Sequence, residues 1–162
     1  GVVGTDEKAR YIIDTLGYDG AINYRTADSL RAEIRDAAPD GVDVYFDNVG
    51  GPVTDAVFDN LAQRARIVLC GQISQYNASR QEMGPRNLVR ILTTRSRIEG
   101  FIVFDYLEQY PQGLKDLSTW LAKGEIIHKE DIVDGLRNAP QAFIGLLEGR
   151  NFGKLLIKVA KE

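Results

Sequence analysis

Apolar and polar residues follow two different periods along this chain, and the switching between them predicts an α/β protein. Short, nearly continuous apolar runs fall at residues 21–24, 42–47, 67–70, 98–104 and 155–159. Runs of that length and density suit strands buried on both faces of a parallel sheet. Between them, apolar residues recur three and four apart: Ala9, Ile12, Ile13 and Leu16, then Leu30, Ile34 and Ala37, then Val53, Ala56, Val57 and Leu61. Each set makes one face of a helix. Residues 1–4 read as the last turn of a further strand.

Local chemistry agrees with this reading. Thr5 can cap the first helix, with Asp6 and Glu7 at its positive end, and Gly17 stops it. Asp28 is the expected cap of the second helix. Pro39-Asp40-Gly41 turns the chain into the strand 42–47. A third helix is expected over 52–61, and another over 87–94. Strand and helix alternate, which is the order of a doubly wound parallel sheet. The tail is different. Leu114, Leu117 and Leu121 predict a helix stopped at Gly124, residues 126–133 an extended segment, and Asn138 a cap for a helix burying Ala142, Phe143, Leu146 and Leu147.

Composition narrows the class. A chain of 162 residues with 44% hydrophobic and 27% charged residues is that of a globular protein with a real core. The net charge of −3 gives no reason to expect nucleic acid or an anionic membrane as partner. No apolar run approaches the ~20 residues that span a bilayer. The charged start at residues 6–10 argues against a signal peptide. A single cysteine, Cys70, and a single histidine, His128, leave no disulfide and no metal cage within this sequence. A reducing, cytoplasmic setting is expected.

Candidate chemistry gathers where two apolar runs end. VDVYFD is followed by Asn48, Val49, Gly50 and Gly51, and RIVLC by Gly71, Gln72, Ile73, Ser74, Gln75, Tyr76 and Asn77. Ligands of parallel sheets bind just beyond the carboxyl ends of the strands. Glycine there lets backbone come close to a ligand, although Asn and Gly also make plain turns. No glycine-rich phosphate loop of the G-x-G-x-x-G kind is present.

The segments GVVGTDEKAR, GYDGAINYRT, PDGVDVYFDNVGG, RIVLCGQISQYN, GPRN, RIEGFIVFDY and GRNFGKLLIKV, in that order, resemble the zinc-independent medium-chain dehydrogenase/reductases of the prostaglandin reductase and leukotriene dehydrogenase type. The resemblance runs over essentially the whole chain. It implies the carboxyl-terminal half of an enzyme about twice as long. Residues 1–104 are then the carboxyl-terminal portion of an NADP-binding Rossmann domain, a doubly wound sheet lacking its first strand and glycine loop. Residues 105–162 return to the catalytic domain. In the order 3-2-1-4-5-6 the first strand is central, so its removal leaves two sub-sheets with unpaired facing edges. Such a segment is expected to be poorly stable alone, or to close its sheet around the gap.

The resemblance also implies roles for individual residues. An NAD site takes an acid at the end of the second strand, and an NADP site a cation. Here that strand ends Gly4-Thr5, with Lys8 one turn on. The matching lysine binds the 2′-phosphate of NADP(H), beside a tyrosine matching Tyr24. Taken alone, Lys8 is an ordinary solvated lysine, and Asp6 facing the ribose would favour NAD. Asn48 matches a residue at the nicotinamide-side ribose. Cys70, Gly71, Ile73, Ser74 and Tyr76 line the cofactor, with Tyr76 facing nicotinamide and substrate. Its hydroxyl can stabilise an enolate; as a proton donor a phenol of pKa ~10 is a weak acid. By itself Tyr76 is a packing residue with a wet hydroxyl. The backbone of Phe101, Ile102 and Val103 is implied to hold the carboxamide, and Asn151 to lie near the cofactor. The expected edge strand 98–104 is implied to pair two copies into a homodimer.

The implied activity is NADPH-dependent reduction of a carbon–carbon double bond conjugated to a ketone or aldehyde, with no metal. The alternatives are quinone reduction by a sister branch and, since the chain holds no pyrophosphate cradle, a fragment that is inactive on its own.

Overall fold

The computed structural model describes residues 1–80 and 82–160; Gln81, inside the loop expected after Gly71, lies outside them. The chain divides into two compact units, Gly1–Glu108 and Gln109–Glu162.

The first unit begins with β1 (Val2–Val3) and α1 (Asp6–Asp14). Thr5 is extended and its hydroxyl accepts from the Lys8 amide at 3.2 Å, the expected cap. β2 (Ile22–Asn23) pairs in parallel with β1. α2 (Leu30–Ala37) is capped by Ser29 rather than Asp28: Ser29 holds the extended cap conformation, and its Oγ reaches the Ala32 amide at 3.3 Å. Asp28 stands one residue too early for that bond.

A second sheet has the order β3-β4-β5, all parallel, built from β3 (Val42–Asp47), β4 (Leu61–Leu69) and β5 (Arg97–Gly100). α3 (Gly51–Phe58) crosses between β3 and β4. Leu61, assigned by its spacing to the helix, opens β4 instead. The Asn60 side chain ends the helix by donating to the Ala56 carbonyl at 2.9 Å and also reaches the Arg31 carbonyl at 3.0 Å. A register shift between Val42 and Val44, with Arg64 at φ +62°, absorbs the extra residues of β4. The expected strand 98–104 stops at Gly100. The Phe101 amide still donates to the Leu69 carbonyl, and then Asp105 closes a turn on Ile102 and the chain enters 3₁₀ geometry at Val103–Gln109. α4 (Leu88–Thr94) ends at Arg95, in the left-handed region.

Ile22, Ile34, Ala56 and Val57 form the core of this unit, with Leu30, Val42, Tyr45 and Leu61 against it. α2 and α3 thus tie the two sheets together on one side. On the other, the sheets stay apart. A cavity of about 980 Å³ lies between them, lined by Val2 and Ile22 from one sheet, by Val44 and Phe46 from the other, and by Asn48 just beyond it. The expected closing of the sheet around its gap therefore does not occur. β3 is hydrogen-bonded on one edge only, and Val44 and Phe46 are 55% and 60% exposed.

The second unit holds α5 (Tyr110–Ala122), β6 (Glu130–Asp134), α6 (Ala139–Leu147) and β7 (Lys154–Lys158), with β6 and β7 parallel. Asn138 precedes α6 but does not cap it. Its amide donates back to the Asp134 carbonyl at 2.7 Å, because a 3₁₀ turn already leads into the helix.

Candidate functional site

The carboxyl ends of β3 and β4 lie side by side and are bonded to each other. Cys70 and Gly71 donate their amides to the Asp47 carbonyl at 2.8 and 3.2 Å, extending the ladder past the last paired residue. The Ile73 amide then reaches the Asn48 carbonyl at 3.2 Å, and Ser74 binds the Val49 carbonyl through its amide at 3.1 Å and its hydroxyl at 2.6 Å. Ser74 is thus a strap between the two loops. Gly50 and Gly51 both have positive φ, 74° and 63°, which lets the chain double back from β3 into α3.

Asn48, Gly71 and Tyr76 converge. A methyl group on Gly71 would sit 2.6 Å from Asn48 Oδ1 and 3.0 Å from the Tyr76 hydroxyl, so only glycine lets these side chains close in. The Tyr76 hydroxyl accepts from the Gln72 amide at 3.2 Å, and as a phenol it keeps one proton to donate. Tyr76 is 67% exposed, so the phenol stands on the surface of the crevice and not in the core. Ile73 and Cys70 are exposed beside it.

Asp47 sits behind this surface with no exposure at all. Its Oδ1 accepts from the Val49 and Gly50 amides at 2.9 and 2.8 Å, and its Oδ2 from the Thr54 hydroxyl at 2.6 Å. Tyr45 bonds the same Thr54 oxygen at 3.2 Å. Burial, with the nearby Asp47 charge adding to it, pushes the Tyr45 phenol far above its ordinary range, so Tyr45 stays protonated.

A second cluster forms at the ends of β1 and β2. Lys8 is half-buried in the first turn of α1. The Tyr24 hydroxyl lies against Gly4, 3.1 Å from where a methyl would be. Asp6 is engaged by a neighbour: its Oδ1 accepts from Asn23 Nδ2 at 2.6 Å. Arg25, which none of the sequence motifs singles out, places its guanidinium 5.7 Å from the Tyr24 ring centre. A basic residue directly after a strand-end tyrosine is the signal that could have found it. This end of the sheet therefore carries two cations, a phenol and an acid tied to an asparagine.

Other expected site residues stand apart. Phe101 packs its ring between Phe46 and Tyr106, with centroids 6.3 and 6.1 Å away, and Ile102 and Val103 are exposed just beyond β5. Asn151 is in the second unit. There its amide donates to the Gly153 carbonyl at 2.8 Å, and it lines a cavity of about 330 Å³ with Asp131, Gln141 and Arg150. Among the described residues, no three His, Cys, Asp or Glu side chains gather to hold a metal, and no helix is long and apolar enough to cross a membrane.

Parallel strands whose carboxyl ends present glycines, a phenol and cations define an α/β protein with the partial doubly wound sheet expected from the sequence. More specifically, the chain belongs to the zinc-binding dehydrogenase family, whose model matches residues 16–157, within the medium-chain dehydrogenase/reductases. It is 49% identical over 162 residues to the protein YfmJ of Bacillus subtilis, covering 99% of this chain and 48% of that one. It is 42% identical over 162 residues to the NADP⁺-dependent 2-alkenal reductase of Nicotiana tabacum, covering 100% of this chain and 47% of the relative. Among solved structures, CurA of Vibrio vulnificus in complex with NADPH matches with a TM-score of 0.92 at 43% identity, over 100% of this chain and 49% of CurA. The chain thus spans about half the length of the proteins it matches.

Proposed function

We propose that this chain forms one wall of the site of an NADPH-dependent reductase acting on carbon–carbon double bonds conjugated to a ketone or aldehyde. The convergence of Asn48 and Tyr76 over Gly71 is the observation that carries this reading, because it combines two polar side chains on one surface with a hydroxyl that keeps a proton to donate. A 2-alkenal reductase and an NADPH-bound CurA among the relatives support it. Residues 1–104 serve as the carboxyl-terminal portion of the cofactor domain and residues 105–162 return to the catalytic domain. The whole enzyme works in the cytoplasm, as a homodimer paired along the edge that contains β5.

The residues present fit NADP(H). Gly71 gives Asn48 and Tyr76 the room to converge on one surface, and the β1–β2 end offers Lys8, Tyr24 and Arg25 to a 2′-phosphate. Asp6, the acid that would favour NAD, is held by Asn23. Asn48 binds the nicotinamide-side ribose, and Cys70, Gly71, Ile73 and Ser74 line the cofactor. The backbone at Phe101, Ile102 and Val103 holds the carboxamide, and Asn151 is a further cofactor-binding residue. When bound, the nicotinamide supplies a hydride to the β-carbon of the substrate. Tyr76 donates a hydrogen bond to the substrate carbonyl oxygen, where negative charge accumulates as the enolate forms. A phenol of pKa ~10 suits that donor role better than outright proton transfer at neutral pH.

The test is NADPH consumption by the full reductase chain, with a panel of enones, enals and quinones. Turnover of enones and enals well above that of quinones is expected. A preference for quinones would replace this substrate class with the sister one. Fluorescence titration of the isolated 162-residue chain is expected to show weak NADPH binding at most, and tight binding would overturn the dependence on a further segment.

A further inference from the structure

The structure assigns to Asp47 a positioning role that joins the two strand ends into a single unit and sets Asn48 and Tyr76 against the cofactor; this inference rests on the function proposed above. Asp47 is fully buried. It receives five donors from three segments. Its side chain takes the amides of Val49 and Gly50 and the hydroxyl of Thr54, at 2.9, 2.8 and 2.6 Å. Its carbonyl takes the amides of Cys70 and Gly71, at 2.8 and 3.2 Å. The first group pins the turn on both sides of Asn48 and anchors it to α3. The second pins the start of the loop that carries Tyr76. Asn48 lies between the two, with its own carbonyl bound to the Ile73 amide at 3.2 Å.

The choice of an ionised side chain has a physical reason. Among the described residues Asp47 forms no ion pair. Its charge is met instead by two backbone amides and by the amino-terminal end of α3, where a negative group is favoured. The Val49 and Gly50 amides both point at Oδ1, and Gly50, at φ +74°, then redirects the chain into α3. The carboxylate therefore braces the turn that projects Asn48 toward Gly71. A neutral amide at position 47 keeps the Oδ1 acceptor but loses the charge, and an apolar side chain loses both.

The test uses the full reductase chain carrying Asp47→Leu, Asp47→Asn or Thr54→Val, with NADPH affinity and amide hydrogen exchange both measured. Asp47→Leu is expected to weaken NADPH by about tenfold or more, the scale of one lost charge-assisted hydrogen bond. It should also speed exchange at Val49, Gly50, Cys70 and Gly71 together. Asp47→Asn should restore most of the protection at Val49 and Gly50 and part of the affinity, and Thr54→Val should change affinity by less than about threefold. If Asp47→Leu does not fold, Asp47→Asn decides: exchange at Val49 and Gly50 and NADPH affinity both equal to the parent would overturn the assignment. Faster exchange at Val49 and Gly50 with Cys70 and Gly71 unmoved would also overturn it, since the two ends would then be independent. Failure of the functional reading looks different: the parent itself binds no NADPH, while the exchange pattern still tests the coupling.

Discussion

The Asn48 amide oxygen and the Tyr76 hydroxyl, carried by different strand ends, close over the same α-carbon at Gly71, 2.6 and 3.0 Å from the position a methyl would take. Gly71→Ala should therefore push both side chains aside without straining the backbone. The expected result is a loss of NADPH affinity of about tenfold in the full reductase, with the melting temperature within a few degrees of the parent. Unchanged affinity would mean that this convergence is not a cofactor surface.

Tyr76→Phe removes the hydroxyl and leaves the ring. Turnover of enones should fall by about tenfold to a hundredfold, less than for a fully buried oxyanion donor because Tyr76 is exposed. NADPH affinity should stay within about twofold. Steady-state kinetics beside a binding titration separates the two, and equal turnover would remove Tyr76 from the reaction.

If Lys8 holds the 2′-phosphate as proposed, Lys8→Ala should cost NADPH about 2 kcal/mol of binding, the scale of one charge-assisted bond, and leave NADH almost untouched. Equal loss for both cofactors would sink the phosphate assignment. Arg25→Ala should act in the same direction.

Much of the fold was legible because its signals are local. VDVYFD announces β3, and the spacing of Val53, Ala56 and Val57 announces α3, whose three residues are buried as expected. The site's surface was legible for the same reason: Asn48 and Gly71 directly follow dense apolar runs. What lay hidden depends on contacts between distant segments. Asp47 reads as a turn residue until β4 is laid beside β3. The early end of β5 depends on Asp105 reaching back to Ile102. The boundary at Leu61 depends on a bulge that no helical spacing reveals.

Among the described residues, Ile67 is the largest apolar side chain that is almost wholly enclosed, at 1% exposure in β4. Ile67→Ala should destabilise the first unit by about 2–5 kcal/mol through lost burial and the cavity left behind. Urea unfolding of the full reductase, read by a probe in this unit, checks it. A change below about 1 kcal/mol would show that β4 repacks freely.

Asp55 carries a pH signature. Partial burial, and then the negative charge of Asp59, raise its carboxyl above the ordinary 3.8. Because the folded value is the higher one, ionisation of Asp55 opposes folding. That loss is absent below pH 3.8 and complete once the pH has passed the raised value. Asp55→Asn should therefore be more stable than the parent at pH 7, and the difference should vanish near pH 3.5. Unfolding midpoints at both pH values give the comparison, and a gain at the lower pH only would reverse the sign.

The cavity between the two sheets leaves β3 with a ladder of amides and carbonyls that ends in mid-air, beside exposed Val44 and Phe46. An open parallel edge of that kind is a template: it binds whichever extended segment reaches it first. The 162-residue chain prepared alone should thus be limited by self-association before it is limited by unfolding, and its solubility should rise when a strand is offered to that edge.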